Sequence, residues 1–167
     1  FIVAERESKR QLELSGLSFN LRIDRLDRFV DGSMAIIDYK SGRNLPRDWL
    51  GERPDIVQLL VYLAAVQHET AQDDVPVSAL ATLHLDESAV QFKGYVRSRD
   101  LLSALRELPK PDDDWESQMH RWRSRVVALA RRFAAGEARV EPRAEACRHC
   151  ALPVLCRKAQ WLDADTG

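Results

Sequence analysis

The chain predicts an α/β fold: a mixed central β-sheet flanked by helices. The order of elements is the first reason, because strands, then a buried helix, then more strands, then helices suit a mixed sheet. The stretch Met34 to Tyr39 is the second. It is apolar at the adjacent positions Ile36 and Ile37, and a strand apolar on both faces belongs in the middle of a sheet. The third is the helical pattern from Asp55 to about Gln67, apolar on nearly every side and therefore buried against that sheet.

Each element has its own signal. Residues 11–30 alternate and are rich in β-formers, from Gln11-Leu12-Glu13-Leu14 to Leu17-Ser18-Phe19-Asn20-Leu21-Arg22-Ile23, which predicts one or two strands. Asp31-Gly32 is a turn signal before the Met34 strand. Ser41 to Arg53 is a loop broken by Gly42, Pro46 and Gly51, and Pro54 suits the first turn of the next helix. Val75 to Leu85 and Ala89 to Val96 form a second strand pair turning at 86–88. Asp100 to Leu108 predicts a short helix and Pro109-Lys110-Pro111 a hinge. Asp112 to Asp114 offer capping carboxylates for a long helix to about Ala135, closed by Gly136. From Val140 the tail is irregular. The expected organisation is a core over 1–140 and a cysteine-containing tail over 141–167.

Composition narrows the function. With 167 residues and 45% hydrophobic content, the chain supports one domain with a real core. No apolar run reaches the roughly 20 residues of a membrane helix, so no membrane role is expected. The opening turns charged after four residues and predicts no signal peptide. A start at Phe1 rather than Met points to a fragment of a longer protein. The net charge of -1 excludes a polycation, so nucleic-acid binding has to come from local patches. One such patch holds Arg121, Arg123, Arg125, Arg131, Arg132, Arg139, Arg143, Arg148, Arg157 and Lys158; it reads either as a binding surface or as a solvated helix face plus a charged tail. The three cysteines cluster at Cys147, Cys150 and Cys156. That is no disulfide framework, and it points to metal or cluster ligation in a reducing cytoplasm.

Chemistry concentrates in Ile23-Asp24-Arg25-Leu26-Asp27 and Ile37-Asp38-Tyr39-Lys40-Ser41-Gly42. Residues i and i+2 of a strand share a face, so Asp38 and Lys40 point one way and Tyr39 the other. A carboxylate in a central strand costs several kcal/mol unless paired or bound to a cation. A two-residue turn at 31–32 would set Asp24 opposite Tyr39, on the wrong face. A three-residue loop at 31–33, or a bulge, sets Asp24 opposite Lys40 and on the face of Asp38. An odd-length loop or a bulge is therefore expected. Two carboxylates beside a lysine can hold Mg²⁺ or Mn²⁺ and hydrolyse a phosphodiester; a plain cross-strand Asp–Lys ion pair fits the same pattern.

These two segments, with Gln58-Leu59-Leu60-Val61-Tyr62, resemble the PD-(D/E)XK nucleases of the RecB/AddB branch. The resemblance implies a restriction-endonuclease-like core. It implies Asp24 and Asp38 as metal ligands, the Tyr39 carbonyl as an extra ligand, and Lys40 as the catalytic lysine. Gln58 and Tyr62, four apart on one helix face, would border the active site; a Gln and a Tyr satisfied within the core is the other reading. Asp27 either joins the site or pairs with Arg25 or Arg28. Many relatives carry a further His or Glu on a preceding helix, a place that Glu5 or Glu13 could fill only in part.

The spacing Cys147-x-x-Cys150-x-x-x-x-x-Cys156 resembles the last three ligands of the AddB-type iron–sulfur staple. A [4Fe–4S] cluster needs a fourth thiolate, and the rival is a zinc site completed by His149. The resemblance implies a cytoplasmic Mg²⁺- or Mn²⁺-dependent deoxyribonuclease, an exonuclease module of a repair or recombination protein with helicase-like regions or a helicase partner. Arg43, Arg47, Trp49, Arg121 and Arg125 would hold the DNA, with Trp49 either stacking on a base or capping the core. A silent nuclease fold that only binds DNA, and a CRISPR-adaptation nuclease, are the alternatives.

Overall fold

The structure, a computed structural model, describes residues 1–41, 48–70, 75–85, 90–107, 114–138, 147, 150–152 and 155. Two compact units divide the chain, Phe1–Ala134 and Ala135–Gly167.

The first unit is a five-stranded sheet in the order β1-β2-β3-β4-β5. β1 (Ile2–Leu14) and β2 (Leu17–Arg28) form a long antiparallel hairpin. Its two turn residues, Ser15 and Gly16, both have positive φ, 54° and 79°. That is the backbone a two-residue hairpin turn needs to match the strand twist. β1 begins well before the alternation at Gln11, because Glu5 to Arg10 are polar on both faces and only pairing with β2 makes them a strand. β3 (Met34–Ser41) lies antiparallel to β2 and parallel to β4 (Val77–Leu85), and β5 (Val90–Val96) closes the far edge antiparallel to β4.

Helix α1 (Val57–Thr70) is the crossover between the parallel strands β3 and β4. Parallel neighbours need such a connection. Leu59, Leu60, Leu63 and Val66 bury against Ile36, Leu80, Ile23 and Leu26. Helix α2 (Trp115–Ala134) packs its Trp115, Met119, Trp122 and Val126 into the same cluster, so both helices cover one face of the sheet. Asp114 caps α2 by accepting the Ser117 N–H at 2.6 Å, which holds its carboxyl below the usual carboxylate range.

The other face carries Phe29, Ala35, Ile37, Ala79, Ala81 and Leu83, and Leu105 packs on it. The helix expected over Asp100 to Leu108 does not form among the described residues of that span, which are turns. Its backbone is used elsewhere: Val96 N–H donates to the Arg106 carbonyl at 2.9 Å, and Arg106 bridges to Tyr95. Leu101, Leu102 and Leu105 imitate helical spacing because they line one side of a strap across the sheet.

Candidate active site

Strand β2 leaves β3 partway along its length, and the opening defines the site. The backbone pairs run from Arg28↔Met34 to Arg25↔Ile37 and stop there, although β3 continues to pair with β4 as far as Ser41. The five residues 29–33 form the loop. Phe29 N–H donates to the Ser33 carbonyl at 2.8 Å, and Asp31 accepts from the backbone and hydroxyl of Ser33. The loop has the expected odd parity but is longer than 31–33, so Asp24 lies across from Asp38 and not from Lys40. Alternation also breaks here. Ile23 and Leu26 are three apart yet share one core cluster, which regular strand geometry forbids.

The freed backbone is taken up by a side chain. Asp24 Oδ2 accepts the Tyr39 N–H at 2.9 Å. A strand residue's N–H and C=O point to the same edge, so the Tyr39 carbonyl faces this opening too. On the opposite face the Tyr39 ring is exposed, with its hydroxyl 3.4 Å from Arg25 Nη1. Asp27 is buried and bound by both forks of Arg25 at 2.7 Å. Asp27 thus pairs with Arg25, outside the site.

Asp38 is 1% exposed, and Lys40 Nζ lies 2.5 Å from its Oδ2. Lys40 is thus the charge partner of Oδ2, an oxygen buried away from water. Burial is the main cause that raises the Asp38 pKa; Lys40 opposes it and Asp24 adds to it. Asp24 and Asp38 therefore act on each other as two carboxylates in one partly desolvated place.

A chain of donors then runs from Lys40 across α1 to β2. Lys40 Nζ donates to Gln58 Oε1 at 2.8 Å, Gln58 Nε2 to Tyr62 Oη at 2.6 Å, and Tyr62 O–H to the Arg22 carbonyl at 2.8 Å. The order is self-consistent. Tyr62 spends its one proton on Arg22, so it can only accept from Gln58, which turns the Gln58 oxygen to Lys40. Burial raises the Tyr62 pKa and keeps it a donor, with the Gln58 hydrogen bond opposing and Asp24 and Asp38 adding smaller upward effects. Asp24, Asp38, Lys40, Gln58 and Tyr62 are thus brought together.

Other expected residues lie apart from this site. Trp49 is in the core at 4% exposure, its ring edge-on to Tyr95 and its carbonyl bonded to Trp122 Nε1 at 2.9 Å. A ring so covered has no face for a base. Arg125 donates to the Leu50 carbonyl at 3.0 Å, and Arg121 to Gln118 Oε1 at 2.6 Å. Arg43 and Arg47 lie outside the described residues. The Glu5 carboxylate is occupied by Ser8 and Arg10. Thr82 and His84 escaped the sequence reading; two polar residues spaced by two after the apolar run Ala79–Ala81 were the available signal.

In the second unit Cys147 and Cys150 are exposed. Cys150 N–H reaches the Cys147 carbonyl at 3.4 Å, and Leu152 N–H reaches Cys150 Sγ at 3.4 Å. Cys156 and His149 lie outside the described residues. Among the described residues no three His, Cys, Asp or Glu side chains form a metal cluster, and no helix is long and apolar enough to cross a membrane.

The model of the PD-(D/E)XK nuclease superfamily matches residues 2–157. The chain belongs to that superfamily, whose core is restriction-endonuclease-like, whose members typically use a divalent metal, and whose substrates are nucleic acids. No curated protein matches at a significant level. Among solved structures, SSO0001 is similar with a TM-score of 0.45 and 16% identity, over 91% of this chain and 59% of that one. A protein from Eubacterium rectale named "Putative exonuclease" is similar with a TM-score of 0.40 and 19% identity, over 92% of this chain and 51% of that one. The chain thus spans less than two thirds of either.

Proposed function

We propose that this chain is the metal-dependent nuclease module of a DNA repair or recombination protein, acting as an exonuclease on DNA ends. The observation that carries this reading is the linked set Asp38–Lys40–Gln58–Tyr62, with Asp24 across the opening from Asp38. Two carboxylates sharing a partly desolvated place, one of them buried, suit a hard divalent cation. Asp24, Asp38 and the Tyr39 carbonyl would hold Mg²⁺ or Mn²⁺. When bound, such an ion acidifies water and offsets charge on the phosphate.

The chain's own residues then have distinct roles. Asp38 and Asp24 supply the negative charge that selects a cation over water. Lys40 neutralises Asp38 and presents an ammonium where negative charge develops on a phosphate. Gln58 and Tyr62 fix the direction of Lys40, and the Arg22 carbonyl anchors them to β2. A positioned donor costs no reorganisation at the moment of reaction. A fold that only bound DNA would have no use for Asp24, Asp38 and Lys40 in one place.

The same reading gives Cys147, Cys150 and Cys156 to an iron–sulfur cluster in the parent protein, the fourth thiolate coming from beyond these 167 residues. Helicase-like regions or a helicase partner would feed DNA to the site.

Incubation with Mn²⁺ and either linear or covalently closed circular DNA tests the assignment. An exonuclease degrades the linear form and spares the circle. Nicking of the circle would make it an endonuclease, and inertness toward both would leave a DNA-binding module.

A further inference from the structure

β3 and β4 change character at the same rung. Their parallel register pairs Ile36 with Leu80, Asp38 with Thr82, and Lys40 with His84. Ile36 and Leu80 lie in the cluster beneath α1, and residues two apart share a face. Thr82 and His84 therefore stand beside Asp38 and Lys40 on the α1 face, in strands about 4.8 Å apart. Thr82 is 1% exposed and His84 4%. The strand on either side of them is apolar, and a buried polar pair costs stability unless it is bonded.

The pair is bonded: Thr82 Oγ1 lies 3.3 Å from the Lys93 carbonyl and 3.0 Å from His84 Nε2. The His84 ring is thus held toward Thr82. Lys40 has a long flexible stem and a strongly hydrated head. Gln58 and Asp38 hold the head, while the residue in register with Lys40 on β4 is the buried His84. A rigid ring there limits the stem to one direction; a soft aliphatic side chain does not.

We propose that Thr82 and His84 are positioning residues of this site: their hydrogen-bonded pair is the β4-side wall that directs Lys40 onto Asp38 and Gln58. The inference rests on the nuclease reading of Lys40 for its functional meaning, but its physical content is the immobilisation of one lysine.

The test therefore has two arms on the full chain. In the first, lysine 13Cε-labelled protein is compared by NMR with His84→Leu, His84→Gln and Thr82→Val. The Lys40 signal is assigned among Lys9, Lys93, Lys110 and Lys158 by its loss in Lys40→Arg. The wild type should show two inequivalent Lys40 ε-protons, the mark of a held side chain. His84→Leu and Thr82→Val should average them to one, and His84→Gln, which keeps a donor toward Thr82, should largely restore them. In the second arm, His84→Leu should lower kcat about tenfold with KM within about twofold and the melting temperature little changed. A Lys40 signal unaltered in His84→Leu overturns the proposal, as does a rate loss that only follows the folded fraction. If the wild type cuts no DNA, the nuclease reading fails while the Lys40 signal still decides this one.

Discussion

Asp24, the residue just beyond Arg25↔Ile37, the last backbone pair between β2 and β3, lies close enough to Asp38 to act on its charge. The sheet opens at the place where the two carboxylates meet. Asp24 closes the upper edge of that opening by accepting the Tyr39 N–H, and Tyr62 closes the lower edge through the Arg22 carbonyl. The site is a local failure of strand pairing, filled with polar side chains.

Without metal, Asp38 should cost the fold stability at neutral pH. Burial first, and Asp24 to a lesser degree, outweigh Lys40 and raise its pKa. With the folded pKa above the unfolded one, the native state binds more protons between the two values. The contribution of this group is full below about pH 4 and is lost as pH rises through the folded pKa. Asp38→Asn in EDTA at pH 8 should melt higher than wild type. The two melting curves should converge on acidification. Calorimetric scans from acidic to alkaline pH check the trend.

Metal should reverse that ranking. An ion that binds only the native state stabilises it by about 2.7 kcal/mol at 100 times Kd. Mn²⁺ is expected to raise the wild-type melting temperature by several degrees and to leave Asp38→Asn and Asp24→Asn unmoved. Equal shifts in all three proteins would place the ion elsewhere.

Gln58 and Tyr62 should separate rate from stability. Gln58 is exposed on α1, so Gln58→Ala should hardly change the melting point while releasing Lys40 and lowering kcat by about 10- to 100-fold. Tyr62 is buried and satisfies the Arg22 carbonyl. Tyr62→Phe should lose about 1 kcal/mol of stability as well as rate. Urea unfolding and single-turnover cleavage, measured on the same samples, distinguish the two.

Much of this was legible beforehand because it follows from short periodicities. The i, i+2 spacing aligned Asp38 with Lys40, and the i, i+4 spacing aligned Gln58 with Tyr62. The register of the β2–β3 hairpin was not legible. Its loop is five residues long because Asp31 binds both Ser33 and, from a distant segment, Arg97. Trp49 was ambiguous for a similar reason, since its cover comes from Trp122 and Tyr95, far along the chain. Thr82 and His84 were hidden inside a mostly apolar strand, and only the parallel register with β3 reveals their neighbours.

Arg125 should behave as a strap and not as a DNA contact. Its guanidinium holds the Leu50 carbonyl, next to the Trp49 carbonyl that Trp122 holds. Arg125→Ala should cost about 1–2 kcal/mol of stability. The slope of log Kd for DNA against log salt should stay unchanged, whereas losing a phosphate contact would lower it by about 0.9. Fluorescence anisotropy with labelled DNA at several salt concentrations gives that slope.

The most direct measurement is the Mn²⁺-dependent release of nucleotides from end-labelled linear DNA by the wild-type chain and by Asp38→Asn, with melting curves showing both folded. The Asp24–Asp38–Lys40 site predicts steady release by the wild type and none above background by the variant. Release at the same rate by both proteins would contradict it.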